Sequence, residues 1–210
     1  MKKRFFYLLV VIGMTMFFVA CEKTDKPEIE SIEIVSSQIE GKGIATIKIT
    51  IEAFKPSEGI SSNELASVEY KGGGLQLNFP AILPNEFLGE YFWYNSANII
   101  PQGVTISDPQ VRVGNIWVVA HNDEGNRIGS FKFSNFAVSL YDMWYTDYIY
   151  ADRDFTITGT SIHGLVFDCS FKKGWNIRYY SPTKNNYHGQ FTTQKPLGKF
   201  EWRYEVFGID

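Results

Sequence analysis

Cysteine is almost missing from this chain: Cys21 and Cys169 are the two among 210 residues. A disulfide framework of the kind that staples small secreted domains is therefore excluded. Histidine is nearly as scarce. His121, His163 and His188 lie far apart, in neither an HxH nor an HExxH spacing, so they do not spell out a zinc site and read as structural or surface residues. An excess of positive charge is also lacking, with 20 Lys+Arg against 23 Asp+Glu. A nucleic-acid partner would leave an electrostatic footprint that this balance does not carry. No GxxxxGK[ST] phosphate loop follows the glycines at 72–74, and no GxSxG nucleophile elbow occurs. The sequence thus implies no cofactor and no metal, and the reading is of a protein that is not an enzyme.

Long apolar runs are short here too. The N-terminal run from Phe5 to Ala20 is 16 residues, interrupted by Gly13 and Thr15, whereas a membrane-spanning helix needs about 20. Lys2, Lys3 and Arg4 precede it and small side chains close it, which is the layout of a secretory signal. Phe18-Val19-Ala20-Cys21 resembles the lipobox of bacterial lipoproteins, with Phe18 where Leu is usual. The resemblance implies cleavage before Cys21 and lipid on its thiol. Plain secretion and an uncleaved anchor are the alternatives. Each buried CH₂ of an acyl chain contributes about 0.8 kcal/mol of membrane affinity, so two or three chains make a stable anchor. Residues 1–20 are then the signal peptide, 21–28 the lipidated Cys and a polar tether, and 29–210 the folded part, as one domain or as two β lobes over 29–108 and 109–210. Loss of the signal leaves a formal charge of −6.

The folded part is rich in aromatics, 16% of the chain, which suit half-buried pleated surfaces. Residues 44–54 alternate cleanly: Ile47, Ile49, Ile51 and Ala53 on one side, Lys48, Thr50 and Glu52 on the other. Residues 29–35 form a shorter strand. Residues 65–70 and 75–79 read as a hairpin around Lys71-Gly72-Gly73-Gly74, after a loop at 55–59. Residues 85–94 hold a helical turn capped by Asn85 or a short strand, and 99–108 a loop. Residues 116–121 and 127–133 flank Asn122-Asp123-Glu124-Gly125-Asn126 as a hairpin. An aromatic centre at 138–150 precedes a turn at 151–154 and a strand from Phe155. Residues 163–171 and 175–180 pair around Lys172-Lys173-Gly174, and 190–193 and 200–207 close the chain. Ten to twelve short strands without a convincing helix predict an all-β, antiparallel sandwich or flattened barrel.

The order of residues 148–160 (YIYADRDFTITGT), 172–176 (KKGWN) and 199–202 (KFEW), with 64–70 (ELASVEY) and 73–80 (GGLQLNFP), resembles a group of small Bacteroidota envelope lipoproteins. That resemblance covers strand and turn residues. It implies a β domain held by lipid at the outer membrane, facing the surface or the periplasm, and it brings no activity with it.

Candidate chemistry is sparse. Cys169 lies among alternating aromatics and reads as a buried small hydrophobe. Asp147, Asp152 and Asp154 lack the DxDxDG calcium pattern and read as turn formers. Trp93, Trp144, Tyr145 and Tyr148 make the one candidate ligand-stacking set, since indole and phenol rings offer an apolar face with a polar handle. Trp117 and Trp202 sit in alternating strands and read as core. The leading expectation is a lipid-anchored, non-enzymatic binding or structural protein. A glycan-binding accessory lipoprotein is the first alternative, supported if the stacking set faces outward, and a hydrolase with an unrecognised site is the second. The partners implied are the membrane, through lipid on Cys21, and a glycan or a protein.

Overall fold

The alternation at residues 46–55 becomes the centre of the fold. In the computed structural model, which describes residues 31–34, 43–72, 75–78, 80–91, 100–135, 143–182 and 189–206, Ile47, Ile49, Ile51 and Ala53 are all fully buried. Each of those isoleucines contributes about 1.5–3 kcal/mol by leaving water. The protein is all-β. The described strands are β1 (Ser31–Ile34), β2 (Thr46–Lys55), β3 (Gly59–Glu69), β4 (Leu75–Asn78), β5 (Gly89–Glu90), β6 (Val104–Ile106), β7 (Arg112–His121), β8 (Arg127–Asn135), β9 (Tyr145–Ala151), β10 (Phe155–Thr160), β11 (Val166–Phe171), β12 (Gly174–Ser181), β13 (Gln190–Thr192) and β14 (Phe200–Val206). Fourteen exceed the expected ten to twelve: β6 is a three-residue piece inside the stretch read as a loop, and β5 a two-residue piece where a helical turn or a short strand was expected. Twelve strands join one sheet in the order β3-β2-β5-β7-β8-β9-β12-β13-β11-β10-β6, with β14 on β8, and β1 pairs β4 separately. β2 lies beside β7 from Thr46↔His121 to Glu52↔Asn115, so the sheet runs across residue 108 without a break.

Two buried clusters lie on opposite faces of this sheet. The first gathers Ile47, Ile49 and Ile51 with Ile116, Val118, Phe131, Tyr148, Tyr150, Trp175 and Trp202. The second gathers Val111, Val113, Ile149, Ala151, Phe155, Ile157, Phe167, Cys169, Phe171 and Phe191. β9 feeds both: Tyr148 and Tyr150 point to one cluster, Ile149 and Ala151 to the other. A strand buried on both faces has no polar side to display, which is why Tyr148-Ile149-Tyr150-Ala151 is continuous rather than alternating. Cys169 is 1% exposed, and burial pushes its thiol up to about 11.

Turn chemistry explains the connections. Asn122 Oδ1 accepts from the Glu124 and Asn126 amides and closes the β7–β8 hairpin. Asp152 Oδ1 accepts from the Arg112 amide, and Asp154 Oδ1 from the Lys173 amide, so both aspartates pin corners. Among the described residues no three of His, Cys, Asp and Glu gather as a metal site. No helix of the described residues is long and apolar enough to cross a membrane.

Several local expectations are corrected. β3 begins at Gly59, six residues before the expected strand, because β2 supplies a pairing partner that Ser61, Ser62 and Asn63 would not earn by propensity alone. Leu65 is the extra residue of a bulge, since Ile49 faces Ala66 and Thr50 faces Glu64. The hairpin of 65–70 with 75–79 does not form: β4 pairs β1, from Ser31↔Asn78 to Ile34↔Leu75. Nor do β11 and β12 pair around Lys172-Lys173-Gly174. Asn176 accepts from the Lys172 amide and donates to the Lys172 and Gly174 carbonyls, making a corner that sends β12 to β9 instead. β13 fills the space between β11 and β12, parallel to β11, the one departure from antiparallel pairing among the described strands. Asn85 opens a 3-10 turn over Asn85–Phe87 rather than capping it. The cap is Pro84, with no side-chain bond, and the Asn85 carbonyl accepts from Arg112 Nη2.

A candidate binding site at a three-strand junction

The sheet opens where β7, β8 and β9 meet. The first half of β8 pairs the end of β7 (Val118↔Phe131 to His121↔Arg127), while the beginning of β7 pairs β9 (Val113↔Ala151 to Asn115↔Ile149). β8 touches β9 at a single register position, Ser134↔Tyr145. Ile116 and Trp117, Lys132 and Phe133, and Thr146 to Tyr148 therefore border a triangular gap. Thr146 Oγ1 donates to the Phe133 carbonyl across it at 2.8 Å, which holds β8 and β9 at this separation.

Register decides which side chains stand on each side of the gap. Pairing places Trp117, Lys132, Tyr145 and Asp147 on one face, with Tyr180 opposite Tyr145 on the same face. Ile116, Val118, Phe131, Phe133, Tyr148 and Trp202 close the other side. Together these residues line a cavity of ≈ 230 Å³. Its mouth is aromatic and charged, and its floor is the first core cluster. Tyr148 stacks on Trp202 in the floor, ring centroids 5.6 Å apart and 11° from parallel. Burial, with Tyr179 nearby, raises the Tyr148 phenol pKa.

The charges at the mouth are already paired. Lys132 Nζ lies 2.9 Å from Glu205 and over the Tyr145 ring at 5.6 Å. Arg178, opposite Asp147 in register, donates from Nε and Nη2 to Asp147 Oδ2 at 3.1 and 2.5 Å. Its Nη1 donates to the Tyr91 hydroxyl at 2.9 Å, and its guanidinium sits 5.4 Å from the Phe191 centroid. Burial works to lower the Arg178 pKa, but Tyr91 and Asp147 outweigh it and raise it. Burial raises the Tyr91 phenol pKa. Both Arg178 bonds to Asp147 fall on Oδ2, and Oδ1 carries no hydrogen bond among the described residues.

Of the expected stacking residues, the junction takes Tyr145 at its mouth and Tyr148 in its floor. Tyr148 is 8% exposed and is not an outward-facing ring. Trp144 is half-buried and stands off the cavity. Asn135 Oδ1 accepts from its amide at 2.6 Å, so its place is in a backbone clasp. Trp93 and Cys21 lie outside the described residues. Trp202 is buried as expected, whereas Trp117 is half-buried at the cavity rather than core, because its face of β7 opens at the junction. Lys132, Asp147 as a site residue and Tyr180 were not in the expected set, and their pairing across β8, β9 and β12 leaves no local sequence signal. No family model matches the chain, and no curated protein or solved structure does either.

Proposed function

We propose that this is a lipid-anchored, non-enzymatic binding protein of the bacterial envelope, and that the β7–β8–β9 junction is its binding site. The junction cavity carries the reading. It brings aromatic rings and ionic groups from four strands to one opening, as small-molecule sites do. The ionic groups there are held in ion pairs, Lys132 with Glu205 and Asp147 with Arg178, an arrangement suited to fixed recognition rather than to passing protons. The anchor is supported by the positively charged start, the short apolar run and Cys21 after Ala20. It would hold the domain at the outer membrane, toward the surface or the periplasm.

Both halves can be tested on the full chain. Cys21→Ala abolishes metabolic incorporation of palmitate and moves the protein out of the membrane fraction; persistent labelling refutes the anchor. Ligand-observed NMR with a library of small fragments should find binders that Tyr145→Ala weakens at least tenfold, with their spectra unchanged over hours. Chemical conversion of a bound fragment, dependent on the junction residues, would show an enzyme instead.

A further inference from the structure

We infer that the junction cavity binds one ring of a neutral saccharide. The inference rests on the junction being the binding site, and it follows from three features of the mouth. The first is charge. Lys132 and Asp147 face the opening, but Glu205 and Arg178 neutralise them at 2.9 and 2.5 Å. An ionic ligand would have to compete with a standing ion pair, whereas a neutral ligand meets no such opposition. The second is the mixture of surfaces. Trp117, Tyr145 and Tyr180 bring ring faces and edges, while Asp147 brings carboxylate oxygens to the same opening. A purely apolar ligand would strip water from those oxygens without replacing it, a loss that buried polar groups do not tolerate. A sugar ring has apolar C–H faces to lie against aromatic rings and hydroxyls around its edge.

The third feature is Asp147 itself. Arg178 holds Oδ2 through two donors and so fixes the carboxylate plane, while Oδ1 is left as an acceptor without a bond among the described residues. A carboxylate oxygen accepting from a hydroxyl makes a charge-assisted bond, stronger than a neutral one. Size agrees. At ≈ 230 Å³ the cavity falls below the roughly 300–1,000 Å³ of sites for drug-sized ligands, which fits a single ring. Phe191 covers one face of Tyr180 at 4.5 Å, and Lys132 one face of Tyr145, so both rings are braced before any ligand arrives. Such bracing reduces the ordering cost of binding.

The test uses the full chain with ¹⁵N-labelled tryptophan, purified in a zwitterionic, sugar-free detergent. The indole N–H resonance of Trp117 is assigned by its loss in Trp117→Phe. Glucose, galactose, mannose and N-acetylglucosamine are titrated to roughly 50 mM, since a single ring of this size binds with about millimolar Kd. At least one should shift the Trp117 indole while leaving that of Trp175, buried in the first cluster, unmoved. Tyr145→Ala should weaken that sugar at least tenfold, and glucuronate and glucosamine should bind at least tenfold more weakly than their neutral counterparts. The inference is overturned if no neutral sugar moves Trp117, if sugars move other indoles alone, or if a charged sugar binds as well as the neutral one. Indole, phenol and simple amides are titrated into the same sample. If these move Trp117 and sugars do not, the saccharide inference fails while the junction stands as a binding site; if neither does, both fail.

Discussion

Removing Asp147 should damage the fold more than removing the arginine it pairs with. The reason is an imbalance of exposure: the Arg178 side chain is 14% exposed and that of Asp147 42%. In Asp147→Asn the guanidinium stays in the interior without the carboxylate charge that faced it, and it cannot shed its proton. Breaking a buried pair this way costs about 3–5 kcal/mol. Water reaches the carboxylate side, so the cost falls to or just below the foot of that range, about 2–3 kcal/mol. For a domain of this size that corresponds to a fall in Tm of roughly 5–10 °C. Arg178→Met leaves a carboxylate that can turn to solvent, and strands chiefly the Tyr91 hydroxyl, a cost of about 1 kcal/mol. The double variant removes the buried cation along with the carboxylate and should recover most of the Asp147→Asn loss. Urea unfolding of the three variants, with unchanged m, measures all of this. Equal costs for the two single changes, or a double variant no better than Asp147→Asn, would refute the reasoning that the buried cation dominates.

Two further outcomes follow from the buried thiol and the corner aspartates. With its thiol pushed to about 11 and its side chain buried, Cys169 holds little thiolate at pH 8, so Cys169 should react with Ellman's reagent more than about tenfold more slowly in the folded protein than in the unfolded one. A native rate within tenfold of the unfolded rate would contradict the burial. The Asp154 carboxyl is held low by the Lys173 amide and by Lys172; at Asp152, burial works upward but Arg153 and the Arg112 amide outweigh it. Depressed folded values mean that their stabilisation is fully present above the unfolded carboxylate pKa, near 4, and is lost as pH falls through the lower folded value. Urea midpoints should drop on acidification through that window, and Asp152→Asn with Asp154→Asn should shrink the drop; an undiminished drop would assign it to other groups.

The legible parts of this fold were those decided within a few residues. The period of two in β2, the Asn122 hairpin and the apolar setting of Cys169 all express local rules, and each was readable in the sequence. Partner choice was not. β3 ends at Glu69 and β11 at Phe171, next to the turn signals, yet β4 goes to β1 and β12 to β9, because contacts far from the turn select the partner. The site was harder still. Tyr145 was found through its aromatic neighbourhood, but Trp117 was hidden: on β7 both Val118 and Val119 are buried, so alternation gives no sign of which side opens. Asp147 and Arg178 lie 31 residues apart, and nothing near either one names the other.

The three residues of β13 have a consequence for how this chain can fail. Among the described strands β12 offers its far edge to β13 alone, and so does β11, so without Gln190–Thr192 the twelve-strand sheet is two sheets with facing raw edges. Those edges are complementary to each other, and equally to the same edges on a neighbouring molecule. A chain cut short before residue 190, or caught before that segment docks, is therefore poised for strand exchange between copies and for aggregation. The continuity of the sheet hangs on a late, short stretch, whose Phe191 also fills the second buried cluster.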